Sequence, residues 1–92
     1  MSNQKIIHTN ARTPREFGEM FRAEREALGM TQQQVADSVK CRRQTIGDLE
    51  DGKNVGLMTV FMALSTIGKT LAIKSNTVEL EDIRGHLEDV DD

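Results

Sequence analysis

Arg42, Arg43, Gln44 and Asp48 have side chains that suit the edges of DNA bases. An arginine fork matches the O6 and N7 atoms of guanine, and a glutamine amide matches N6 and N7 of adenine. Around them stand groups that suit phosphate. Thr31, Gln32 and Gln33 open one helical segment, where backbone N–H groups and the helix dipole favour an anion. Thr45 suits a phosphate or a thymine methyl, and Lys53 follows the second segment. An Arg-Arg-Gln run taken alone is more often a solvated helix face. Its meaning depends on the elements that hold it.

Those elements are legible in the stretch GMTQQQVADSVKCRRQTIGDLEDGK, residues 29–53. Thr31 followed three residues later by Gln34 is a capping box that starts a helix, with Val35, Ala36 and Val39 as its inner face. Lys40-Cys41 is a turn. A further helix from about Arg42 to Glu50 turns Ile46 and Leu49 inward, and Asp51-Gly52-Lys53 ends it. A small residue such as Ala36 lets two steeply crossing helices approach. Upstream, Thr13, Pro14 and Glu16 announce a helix over about 14–28, with Phe17, Met20, Phe21, Ala27 and Leu28 on one face and Gly29 as its stop. Downstream, Leu57, Val60, Phe61, Leu64 and Ile67 recur at helical spacing, Met58 and Met62 widen the apolar surface, and Gly68 closes the segment.

Thr70, Leu71, Ala72, Ile73 and Lys74 alternate as a short β-strand does. A single strand in a helical domain needs a partner, and the economical one is the same strand in a second copy. The core points the same way. Only 37% of the 92 residues are hydrophobic, with three Phe and no Trp or Tyr, which is thin for a monomer. Pairing copies through residues 70–74 supplies the missing apolar burial.

The net charge of −3 hides an asymmetry. Residues 1–74 hold 11 Lys/Arg against 8 Asp/Glu, a net of +3, while residues 75–92 hold one Arg against seven acids, a net of −6. The chain thus divides into an arm over 1–12, a domain over 13–74 and an acidic tail over 75–92. In the arm, Ile6 and Ile7 fit a short strand or a hydrophobic clip on a partner, and a loosely ordered arm fits them equally well. The tail is expected to lack stable structure when free and to order on a partner.

Several function classes have no candidate residues. Paired carboxylates, a nucleophile elbow and a glycine-rich phosphate loop are all missing, so no enzyme is expected. His8 and His86 stand alone, and Cys41 is the sole cysteine, so neither a metal nor another cofactor is expected. Cys41 reads better as a small semi-buried residue than as a redox switch. The start of the chain has no signal-peptide pattern and no apolar run reaches the ~20 residues of a membrane span, so a cytoplasmic, nucleoid-associated protein is expected.

Residues 29–53 resemble the helix-turn-helix of the Xre family, which includes the Cro and CI phage repressors. Gln32, Ala36, Ile46, Glu50 and Gly52 carry that signature. The later helix followed by the strand Thr70–Lys74 is similar to the HipB antitoxins, in which C-terminal strands pair across a dimer. The resemblance covers about residues 13–74. It implies a mainly α, four- to five-helix, lambda-repressor-like domain whose short C-terminal strand pairs across a homodimer. It further implies repression of the protein's own operon through an inverted repeat in double-stranded DNA. In the HipB branch the partner is a HipA-like kinase toxin. Arg25 and Glu50 match a scaffold pair of such domains. Two positions depart from the pattern. Lys40 stands where the turn usually carries Gly, at a cost of roughly 1 kcal/mol if left-handed, and Cys41 stands where a hydrophobic or hydroxyl residue is common.

Two other readings share these residues. One is a stand-alone regulator with no toxin. The other is a protein-interaction module that keeps the fold without binding DNA, suggested by the net charge and by Asp37, Asp48 and Asp51 near the reading side.

Overall fold

In the computed structural model, which describes residues 10–75, four helices follow one another: α1 (Pro14–Ala27), α2 (Gln32–Val39), α3 (Arg43–Glu50) and α4 (Leu57–Thr66). Among the described residues there is no fifth helix. Ile6 and Ile7 of the arm, and the tail from residue 76 onward, lie outside them.

The helix starts follow from side-chain chemistry. Thr31 accepts from the Gln34 N–H at 3.0 Å, and the Gln34 side chain accepts from the Thr31 N–H at 2.8 Å, a complete capping box. The box expected at α1 is only half formed. Thr13 accepts from the Glu16 N–H at 3.0 Å, but the Glu16 carboxylate reaches one residue further back, to the Arg12 N–H at 2.8 Å. Arg42 caps α3 by backbone conformation alone.

Each helix ends on a left-handed residue followed by an N–H that reaches five residues back. Gly29, Gly52 and Gly68 play this part for α1, α3 and α4. After α2 the residue is Lys40, at φ 66° and ψ 46°, with Cys41 N–H on Ala36 C=O at 3.0 Å. The turn therefore keeps its left-handed geometry and places a lysine in it. Replacing Lys40 with Gly is expected to stabilise the domain by about 0.5–1 kcal/mol, the relief of strain less the extra freedom of the unfolded chain. Lys40→Ala, still strained, should stay near wild type. Thermal unfolding of the pair checks this.

α2 lies against both α3 and α4, and α1 packs on α3. Val35, Ala36 and Val39 of α2 meet Ile46 and Leu49 of α3, all buried as the spacing predicts. Phe21 from α1 and Ala63, Leu64 and Ile67 from the α4 region close the core. Two faces differ from expectation. Ala27 and Leu28 are exposed, and the buried positions of α1 are Gly18, Phe21 and Arg25. On α4, Leu57 and Phe61 face outward and Ala63 faces in, because an almost wholly apolar helix has no contrast from which to read its phase.

Residues 70–75 form no strand and make no backbone hydrogen bond among the described residues. The expected strand needs a partner to pair with, and the described residues of one chain supply none. Ile73 is fully exposed and Leu71 is 39% exposed.

Candidate nucleic-acid interface

Each expected reading residue sits on the outer side of α3 or at its start. Arg42, Arg43 and Gln44 are exposed, while Thr45 and Asp48 are half-buried at the rim. Beneath them Ile46 and Leu49 are locked in the core, so α3 is a rigid mount. Arg42 has no side-chain partner among the described residues. Gln44 donates to the Asp48 carboxylate at 2.9 Å. One amide N–H and the carbonyl of Gln44 remain, the pair of groups that an adenine edge takes. Asp48 thus aims Gln44 in the free chain.

The phosphate candidates cluster at the start of α2. Thr31 is spent on the cap, and Gln33 donates to Asp37 at 2.8 Å. Asp37 and Asp48 therefore each hold a glutamine four residues upstream. A hollow of about 430 Å³ is lined by Arg22, Arg25, Met30, Thr31, Gln32, Gln33 and Arg43. Arg22 is paired there with Glu26 at 3.1 Å and Arg25 with Glu50 at 2.6 Å, which leaves Arg43 and the start of α2 as the uncompensated positive groups of the recess. Arg22 was not among the sequence candidates; its spacing from Arg25, on one turn of α1, was the available signal. Lys53 is exposed past α3, with its N–H on Asp48 C=O at 2.9 Å.

Under this surface lies a charged network. Arg25 Nε and Nη2 donate to the two Glu50 carboxylate oxygens at 2.6 and 3.0 Å, and Nη1 donates to Met30 C=O at 2.7 Å. The two side chains are 9% and 2% exposed. The hydrogen bond that Arg25 donates to Glu50 is the main cause that raises the Arg25 pKa above the ordinary arginine value, against the opposing effect of burial. The Arg25 guanidinium thus keeps its charge in the fold, and the pair ties α1 to α3 as a scaffold. Gln32 joins it: Nε2 donates to Glu50 Oε1 at 3.0 Å, and Oε1 accepts from Arg43 Nη1 at 2.9 Å. Burial pushes the Cys41 thiol pKa up, away from a reactive thiolate and in line with a structural residue. Among the described residues no group of His, Cys, Asp and Glu could hold a metal, and no helix there is long and apolar enough to cross a membrane.

Two short helices joined by a left-handed turn, the second carrying exposed Arg-Arg-Gln, define a helix-turn-helix. The chain belongs to the helix-turn-helix domain family, whose profile matches residues 16–63. Among solved structures, it is similar to one chain of a HipA-HipB-O2-O3 complex, at 20% identity and a TM-score of 0.69, covering 75% of this chain and 99% of that one. A HipB-O4 20mer complex gives 20% identity and a TM-score of 0.68, covering 74% and 97%. No curated protein matches by sequence. The structural likeness supports a mainly α helix-turn-helix fold similar to that of the HipB chain.

Proposed function

We propose that this chain is a sequence-specific DNA-binding transcriptional repressor that works as a homodimer on an inverted repeat. The carrying observation is the exposed row Arg42, Arg43 and Gln44 on a helix whose opposite side is fully buried. In this reading α3 enters the major groove, and Arg43 and Gln44 contact base edges. Thr31, Gln32, Gln33, Thr45 and Lys53 lie along the flanking phosphates.

The dimer draws support from the apolar surface that one chain leaves open. Leu57, Met58, Phe61 and Met62 line the outside of α4 at 66, 71, 44 and 42% exposure, and Leu71 and Ile73 in the segment after it are exposed as well. Contiguous apolar groups of this kind mark a surface that a partner covers. Two copies would set their α3 helices about 34 Å apart, one turn of DNA. Ala72→Pro removes a ladder donor from residues 70–74 without touching a helix. It is expected to turn the dimer into a monomer by sedimentation; a variant that remains dimeric places the interface on α4 alone.

The finer reading is an antitoxin that represses its own operon and binds a HipA-like kinase toxin, supported by the likeness to a chain of the HipA-HipB-O2-O3 complex. The residues 29–53 serve a stand-alone regulator equally well, so a kinase-like reading frame beside this one is the deciding observation. Selection of duplexes from a randomised pool, followed by gel shift at low salt, tests DNA binding itself. Failure to enrich any sequence favours the protein-interaction module.

A further inference from the structure

The turn after α2 differs from the other helix ends in one residue. Gly29, Gly52 and Gly68 take the left-handed conformation after α1, α3 and α4, at φ 73°, 80° and 73°. After α2 it falls to Lys40, at φ 66°, the single non-glycine residue of positive φ among the described residues. A lysine is strained in this conformation and a glycine is not. Such strain clusters at functional sites.

Within the fold the Lys40 side chain has no task. It is exposed, and its ammonium has no hydrogen-bond or ion-pair partner among the described residues. Asp37, three residues upstream on α2, accepts instead from Gln33 Nε2 at 2.8 Å. Arg15, Arg22 and Arg25 on α1 and Lys69 after α4 each have an acidic partner, in Glu19, Glu26, Glu50 and Glu24. Lys40, Arg42, Arg43 and Lys53 have none among the described residues, and they stand in the turn, at the start of α3 and just past its end. The root of the Lys40 side chain is fixed as well. Its N–H and that of Cys41 both donate to Ala36 C=O, at 2.7 and 3.0 Å.

We propose that Lys40 is a DNA-backbone contact whose ammonium takes a phosphate oxygen beside the groove that α3 enters. The start of α3 meets the base edges, and Lys40 comes two residues before the cap of that helix, Arg42. A compact ammonium on a flexible stem binds a phosphate oxygen as a point charge, with little demand on direction. It can therefore act from a turn, whereas Arg43 and Gln44 need a rigid helix to meet a base edge. The contact carries no sequence information. It also opposes the fold, since glycine here relaxes the turn and removes the cation. Stability and affinity thus change in opposite directions at one residue.

The proposal rests on DNA binding by α3, and the test keeps the two apart. The probes are the duplex that the wild-type chain selects from a random pool and a scrambled duplex of equal length. Lys40→Gln keeps the strain and drops the charge. It is expected to weaken binding to both duplexes about 2–5-fold per half-site at moderate salt. The salt slope should become less steep by about 0.9 per half-site. Lys40→Gly should show the same loss while melting about 2–8 °C higher. Lys40→Arg, which keeps the charge, should bind within about 2-fold of wild type. Ethylation of single phosphates on the selected duplex locates the contact. At one phosphate in each half-site it should weaken wild type far more than Lys40→Gln. Wild-type affinity and salt slope in Lys40→Gln, or an equal loss in Lys40→Arg, overturns the contact and leaves DNA binding standing. A loss confined to one base position makes Lys40 a base reader and overturns it too. If the wild-type chain binds neither duplex, DNA binding fails and the contact fails with it.

Discussion

Glu50→Ala is expected to lose about 3–5 kcal/mol of folding stability, the usual result of stranding one partner of a buried ion pair. Arg25 would keep its charge inside the fold with Met30 C=O as its remaining close acceptor there. The Gln32 amide would lose its own acceptor at the same time. For a domain of this size, whose total stability lies near the low end of about 5–15 kcal/mol, that loss leaves a large unfolded fraction. Urea denaturation followed by circular dichroism measures it. A loss under about 1 kcal/mol would mean that the pair is far better hydrated than its burial indicates. Replacing both partners together, as Arg25→Met with Glu50→Leu, should stay close to wild-type stability, because the net worth of such a pair against apolar groups is small. That double variant should fold, with the Gln32 amide losing its bond to Glu50 and keeping the one from Arg43.

Gly18→Ala is the second large effect, and it comes from backbone rather than charge. A Cβ at Gly18 would lie 2.5 Å from Leu49 C=O oxygen and 2.7 Å from the Glu50 carbonyl carbon, and closer still to the Glu50 carbonyl oxygen. These are backbone atoms of α3, so no rotamer change makes room, and α1 must move away from α3 as a unit. The expected cost is about 2–3 kcal/mol, even though alanine at a helix interior ordinarily gains up to ~1 kcal/mol over glycine. The displacement would also lengthen the Arg25–Glu50 contact, which spans the same pair of helices. Thermal unfolding against Gly47→Ala is the control. A Cβ at Gly47 meets only the Gln32 side-chain amide, at 3.9–4.0 Å. Equal midpoints in the two variants would contradict the close approach.

Caps and stops made the helices legible. Thr13-Pro14, Thr31 with Gln34, and glycines at 29, 52 and 68 mark boundaries through local chemistry, and the structure places them within a residue or so. The inward Val35, Ala36, Val39, Ile46 and Leu49 were legible for the same reason, since polar neighbours set off the apolar period. Contrast is missing on α4, so helical spacing alone does not show that Leu57 and Phe61 face out. Arg25 takes a buried place on α1 that hydropathy alone assigns to Ala27 or Leu28, because Glu50, 25 residues away, compensates its charge. Gly18 carried a signal that went unused: a glycine inside a capped helix costs about 1 kcal/mol against alanine and so implies a close neighbour. The exposed row Arg42, Arg43 and Gln44 was plain from type and position. That Gln32 bonds to Glu50 and Arg43 at once was not, since it depends on three helices meeting in space.

The most direct test of base reading by α3 is equilibrium binding of the chain to its selected duplex and to a scrambled duplex of equal length, at stepped salt concentrations. Affinity for both should fall as salt rises, by a slope near −0.9 per phosphate contacted. The selected duplex should remain about 10³-fold or more the tighter at moderate salt. Arg43→Ala should remove about 1–3 kcal/mol of that preference at one base position and leave binding to the scrambled duplex nearly intact. Equal affinity for the two duplexes at every salt concentration, in wild type and Arg43→Ala alike, would contradict it.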